Sequence, residues 1–271
     1  MKKIFPLLLS QLLLVSSLLA SSYKFDNPPS DTDPLPQENQ SETFTVNGVS
    51  FNMMLVKAGA FTMGATPEQQ DPGYAEKPAH SVTLTHDYYI GETEVTQALW
   101  QAVMGSNPSY YKGDDLPVEQ VSWDECQKFI GRLNELTGRV FRLPTEAEWE
   151  FAARGGNNSR GYQYAGGNNL SEVAWYRDNS GKKPHPVKTR RPNELGLYDM
   201  SGNVCERCQD WFGDYSSELQ TDPAGPADAS WRVFRGGSWN SLAWGCRIAS
   251  RDNSFPDYRD SNLGLRLALS E

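Results

Sequence analysis

Glycine and proline recur along the whole of this 271-residue chain, 23 of one and 17 of the other, and they divide it into short pieces. Each tends to end or bend the element it meets, so the chain suits short helices and strands joined by turns, not a helical bundle. The length fits one large domain or two small ones. An apolar fraction of 38%, with eight tryptophans, is enough to build a core. The net charge of −9 and the lack of a long basic run argue against nucleic acid as a partner, because phosphate binding needs a basic face.

Met1 to Ser22 reads as an export signal. Lys2 and Lys3 precede an apolar run from Phe5 to Leu19, and Ala20-Ser21-Ser22 offers small residues for cleavage. No cysteine follows the run, so a lipoprotein anchor is not supported, and the shortness of the run argues against an uncleaved anchor. The expected mature chain is not membrane-embedded and is exported, to the periplasm, the cell surface or the medium. Residues 23–43, rich in Pro, Ser, Asp, Asn and Gln, read as a disordered spacer, with a folded domain over 44–271. Export permits disulfides. Cys126, Cys205, Cys208 and Cys246 allow three full pairings, and their surroundings favour disulfides or buried thiols over a metal site.

Asn47-Gly48 between β-branched residues signals a hairpin. Phe51 to Met63 is strand-like and broken at Gly59, and His80 to Thr85 alternates as a half-buried strand. Three helix starts carry capping residues. Thr96 precedes Gln97 to Met104, closed by Gly105. Ser122 with Glu125 opens a helix whose apolar face holds Cys126, Phe129, Ile130, Leu133 and Leu136, ended by Gly138. Thr145 with Glu148 opens a third, stopped at Gly155-Gly156. Glu146, Glu148 and Glu150 are explained as acidic residues near a helix N-terminus. The three histidines share no metal-like spacing and read as structural or exposed.

Two stretches invite functional readings. In Gly196 to Glu206, Asp199 and Glu206 bracket the turn Gly202-Asn203. Two carboxylates around a turn with free carbonyls suit either Ca²⁺ or a solvated turn. At the C-terminal end, Arg235-Gly236-Gly237-Ser238-Trp239 and Asn262-Leu263-Gly264-Leu265-Arg266 enclose two stretches, 241–245 and 252–261, that read as irregular surface loop. Large aromatics sit there beside short polar residues without helical or strand period. The pattern fits an exposed recognition surface or a loop that packs its own aromatics inward.

The dense motifs together resemble the formylglycine-generating enzyme, or sulfatase-modifying factor, family. They run in order through Val56 to Gly64, Glu94-Val95-Thr96, Pro117 to Trp123, Arg142 to Gly156, Gly196 to Val204, Arg232 to Trp239 and Asn262 to Ala268. The resemblance implies an α+β, C-type-lectin-like fold with short helices beside twisted antiparallel strands and much irregular loop. It implies structural Ca²⁺ held by the side chains of Asp199 and Glu206 and the carbonyls of Gly202 and Val204.

It does not carry the oxidase chemistry over. Oxidase members hold copper with two cysteines after the GGS motif. Here Ser241 stands at the first position and no cysteine stands at the second, so copper is not expected and the enzyme question stays open. Ser238, Cys205 and Cys246 are the remaining catalytic candidates. The tryptophans usual after GNV are replaced by Cys205 and Arg207.

The C-terminal segment is also similar to those of retroelement-diversified variable proteins of this fold. Substitutions at template adenines turn Asn codons there into a limited residue set. The leading expectation is an exported binding protein for a protein or surface ligand. Its surface would comprise Trp239, Asn240, Ser241, Leu242, Trp244, Gly245, Asp252, Ser254, Phe255, Tyr258, Asp260 and Ser261. The alternative is a formylglycine-generating oxidase with altered thiols, acting on a client sulfatase cysteine.

Overall fold

Local backbone chemistry sets where each element begins and ends. The structure, a computed structural model, describes residues 39–270. The expected signal segment and most of the spacer lie outside the described residues. β1 (Ser41–Val46) begins three residues before the expected start at Phe44, because pairing with β2 (Val49–Val56) extends to Ser41↔Met54. Asn47 and Gly48 both take positive φ and make the two-residue turn between them. β3 (Gly59–Met63) pairs antiparallel with β4 (His80–Leu84), and β5 (Tyr88–Gly91) pairs with β2.

α1 (Gln97–Met104) starts where Thr96 Oγ1 accepts from Leu99 N and stops at Gly105 in the left-handed region. Full capping boxes open α2 (Trp123–Thr137) at Ser122 and Glu125, and α3 (Glu146–Ala153) at Thr145 and Glu148. Between them lies β6 (Phe141–Arg142), and the four-residue α4 (Leu170–Val173) follows. The remaining strands are β7 (Cys205–Trp211), β8 (Gln220–Thr221), β9 (Arg232–Arg235), β10 (Arg251–Ser254), β11 (Leu263–Leu265) and β12 (Ala268–Ser270).

Among the described residues the strands form three sheets, ordered β1-β2-β5-β12-β6, β10-β9-β7-β11 and β3-β4-β8. Most pairs are antiparallel as expected. β11 with β7 and β4 with β8 are parallel, each joining segments far apart in sequence. The apolar face of α2 buries Cys126, Phe129, Ile130 and Leu133 against Trp100, Phe141 and Leu265, whereas Leu136 lies outside that face and is exposed. A second cluster packs Trp149 and Phe151 of α3 with Tyr88, Met200 and Cys208.

The helix-terminus explanation for the α3 acids holds for Glu148 alone. Glu148 caps the helix and pairs with Arg142. Glu146 and Glu150 are buried and bind guanidinium groups: Arg235 meets both, Arg251 meets Glu146, and Arg154 meets Glu150. Buried carboxylates need such partners, because an unpaired one would cost several kcal/mol in desolvation, on the order of the whole stability.

Candidate functional site: a cleft beside Cys205

β7 occupies the middle of its sheet, and successive side chains leave its opposite faces. Glu206, Cys208 and Asp210 point into the buried side of the fold. Cys205 and Arg207 point toward the C-terminal segment. Cys205 lines a cleft of about 230 Å³, together with Phe234, Gly237, Ser241, Leu242, Trp244 and Asp252.

The three catalytic candidates meet beneath this cleft. Ser238 is fully buried and lies near enough to the Cys205 and Cys246 thiols to lower the pKa of each against the effect of burial. Ser241 Oγ accepts from Ser238 N at 2.9 Å and lies 3.2 Å from Ser238 Oγ. Gly237 is required here. Its φ is +68°, and a Cβ would lie 2.9 Å from Cys246 Sγ.

All four cysteines are free and buried. Burial pushes the Cys246 thiol up to about 12 and raises Cys205 as well, so both stay protonated at neutral pH. At the position matched to the first copper cysteine stands the Ser241 hydroxyl, a hard oxygen donor in place of a soft thiolate.

The expected surface residues divide by exposure. Asn240, Leu242, Trp244, Asp252, Phe255 and Tyr258 are exposed, and Ser241, Gly245, Ser254, Asp260 and Ser261 are half-buried. Trp239 departs from the expectation: it is buried, its indole donates to Ser261 O at 3.0 Å, and its ring meets Tyr111 edge-on. It ties the two halves of the segment together instead of presenting a face.

The segment is also more regular than its sequence suggests. Ala243–Cys246 forms a 3-10 turn, and Arg251–Ser254 is strand β10, pairing Asp252 with Phe234. Asp260 O accepts from Gln120 N, and Pro256 O accepts from Trp123 N, fixing the last loop to the start of α2. Phe255 packs edge-on against exposed Trp231, a surface aromatic that sequence reasoning passed over.

On the opposite face of β7, the Gly202-Asn203 turn carries a different chemistry. Gly202 sits at φ +83° where a Cβ would collide with Trp175 O. Glu94, from the Glu94-Val95-Thr96 motif, accepts from Val204 N at 2.9 Å and Asn203 Nδ2 at 2.7 Å and so holds the turn. Its role was missed because it lies over a hundred residues away in sequence. Asp199 Oδ2 accepts from Lys188 N, and Asp199 Oδ1 is buried without a partner. Both Glu206 oxygens accept from Arg266, and one also accepts from Trp149 Nε1 at 2.6 Å.

Three buried carboxylates therefore face one buried guanidinium. Burial, then the Asp199 and Glu206 charges, push the Glu94 carboxyl well up. Burial is also the main cause that brings Asp199 to about 6. Asp199 Oδ1 thus remains a buried oxygen without a partner at this turn, although no group of three or more metal-ligating side chains gathers among the described residues.

Comparison with known proteins agrees with this architecture. Residues 38–271 match the family described as "Sulfatase-modifying factor enzyme 1-like domain". The chain belongs to the sulfatase-modifying factor family. Formylglycine-generating enzyme of Streptomyces coelicolor is 37% identical over 64% of this chain and 59% of its own length. A protein named "Chaperone protein LppX" of Paenibacillus barcinonensis is 34% identical over 82% of this chain and 91% of its own. The solved structure of Treponema denticola variable protein 1 is 36% identical, with a TM-score of 0.78 over 85% of this chain and 99% of that one. Sulfatase-modifying factor relatives of this chain thus include enzymes and a variable protein, so family membership alone does not choose the chemistry.

Proposed function

We propose that this sulfatase-modifying factor homologue is an exported recognition protein that binds a protein or surface ligand through its C-terminal segment. The observation that carries the reading is the Cys205–Ser238 cleft. It has a hydroxyl at the first copper-cysteine position and neutral buried thiols, yet exposed Leu242 and Trp244 stand at its mouth. A rigid scaffold with aromatic anchors on its loops keeps the ordering cost of binding low. The likeness to a variable protein supports a binding scaffold, and a relative named as a chaperone is consistent with a polypeptide partner. Diversification of the segment by a retroelement belongs to the same proposal.

The structural Ca²⁺ site is part of this reading. Asp199 and Glu206 side chains and the Gly202 and Val204 carbonyls would hold the ion. Bound there, it would neutralise the carboxylate excess and fix the turn that leads into β7. Glu94 holds that turn through Val204 N and Asn203 Nδ2, and Arg266 holds Glu206.

One observation favours the oxidase alternative: Cys205 and Cys246 both lie near Ser238. Copper titration and turnover on a cysteine-containing sulfatase peptide separate the readings. The recognition reading expects neither stoichiometric Cu(I) binding nor formylglycine in protein shown to be folded. Appearance of formylglycine that is lost in Cys205→Ser would replace it with the oxidase.

A further inference from the structure

The chain carries a net charge of −9, yet residues 177–191 hold six Lys or Arg and a single acid, Asp178. Glycine, proline and asparagine interrupt the cations, so no run is visible in the sequence. Three of them are occupied elsewhere. Lys188 pairs with Glu92, Arg191 pairs with Glu172, and Arg190 stacks on Trp175. The other three, Arg177, Lys182 and Lys183, are exposed and pair with no carboxylate among the described residues.

Hydrogen bonds fasten this loop to the cleft. Arg177 N donates to Ser241 O and Arg177 Nε to Asn240 O, both at 3.0 Å. Ser180 Oγ donates to Trp239 O at 2.8 Å, and Tyr111 OH donates to Lys182 O at 3.1 Å. Arg177 itself lines the cleft. Arg177 therefore places one exposed cation at the cleft beside Trp244 and Leu242, and Lys182 and Lys183 follow it on the same loop.

Across the cleft runs β10, the outermost strand of its sheet. An outer strand presents main-chain groups that an extended peptide can pair with. Asp252 on this strand covers its neighbour's amide, accepting from Asn253 N at 2.8 Å. Asp252 also brings one exposed carboxylate to the cleft. At about 230 Å³ the cleft is smaller than the ~300–1,000 Å³ of small-molecule and cofactor pockets, and has room for one large side chain.

We infer that the partner of this surface is an acidic peptide segment. It seats one aromatic or branched side chain between Trp244 and Phe234 and lays its carboxylates along Arg177, Lys182 and Lys183. Its hydrogen-bond donors face Asp252 and the β10 edge. This rests on the recognition reading above and names the class of partner. The charge asymmetry makes association dependent on ionic strength, because the three cations are solvent-facing and lie within a Debye length of the bound carboxylates.

The test is a random-peptide display selection against the purified full chain, repeated with Trp244→Ala and with Lys182→Glu/Lys183→Glu. Selected peptides are then titrated at low and high salt, and dextran sulfate is tried as competitor and ligand. The expected consensus is Asp or Glu flanking an aromatic or branched residue. The charge-reversed variant should bind it at least about tenfold more weakly, with unchanged melting temperature.

A Trp244-dependent consensus without acidic residues overturns the acidic class and leaves the recognition surface standing. Tight binding of dextran sulfate with no peptide selected replaces the peptide by an anionic polysaccharide. No binder of either kind removes both the class and the recognition reading, and a binder whose affinity survives Trp244→Ala overturns the placement at this cleft.

Discussion

The two faces of β7 differ in how their buried charges are met. On the inward face, Glu206 binds Arg266 and Trp149, and nearby guanidinium groups each meet a carboxylate. On the outward face, Arg207 is fully buried and meets only neutral acceptors: Val121 O, Tyr258 O and the Ser254 hydroxyl. Burial lowers its pKa accordingly. The inward face spends its charges on holding the fold. The outward face leaves polarity and aromatic area available to something else.

The largest test of that contrast is to remove one charge from each face. Arg266→Met leaves Glu206 buried with a single indole donor, and loss of one partner from a buried pair typically costs about 3–5 kcal/mol. Arg207→Met strands no carboxylate, so it should cost less than half as much, chiefly for two carbonyls left without a donor. Denaturant unfolding of both variants measures the difference. Equal losses would dissolve the distinction between the faces.

Calcium comes next. If the Asp199 turn holds the ion in the native state alone, chelation should remove about 2.7 kcal/mol at a free ion concentration one hundred times the dissociation constant. Asp199→Asn should make the melting temperature insensitive to chelator. A melting temperature unchanged after demonstrated removal of all metal would exclude Asp199 and Glu206 as ligands, leaving the three carboxylates to be balanced by protons.

Most of the scaffold was legible from short-range chemistry. The capping pairs Ser122–Glu125 and Thr145–Glu148, the Asn47-Gly48 turn and the Gly105 and Gly138 stops all act within a few residues, and all are found. The misreadings share one cause: their partners are remote. Nothing near Glu146 announces Arg235 and Arg251. Trp239 looks like a surface aromatic until its indole N–H is seen to donate to Ser261 O. Asp252 to Ser254 lack strand period because β10 is a four-residue edge whose register is set by β9. The place of Arg177 was hidden for the same reason, since hydrogen bonds to Asn240 and Ser241, remote in sequence, bring it to the cleft.

A smaller, pH-dependent effect probes the inward face again. Burial first, then the Glu146 charge, brings Asp210 to about 8, although Glu146 N donates to it. Between about pH 4 and 8 the folded chain holds a proton that the unfolded chain has released. This group's contribution therefore falls as pH rises through that window, by about 1.4 kcal/mol per pH unit, and levels off above it. Asp210→Asn keeps an acceptor for Glu146 N and should flatten the stability profile by that slope. Parallel profiles for the two proteins would mean that Asp210 stays ionised in the fold.

The smallest expected stability change belongs to the outward face and says most about function. Trp244 is 62% exposed, at the lip of the cleft, and lacks the hydrogen bond that anchors Trp239. Trp244→Ala should alter unfolding free energy by no more than about 0.5 kcal/mol, as for surface positions outside a packed or bonded network. Ligand capture should nevertheless be lost, since exposed aromatics with few internal contacts matter to a partner and not to the core. Paired calorimetry and binding on one preparation read both quantities. A Trp244→Ala protein that unfolds early and still binds would reverse the assignment, making the aromatic lip part of the scaffold and moving the binding surface to Trp231 and Phe255 at the far edge.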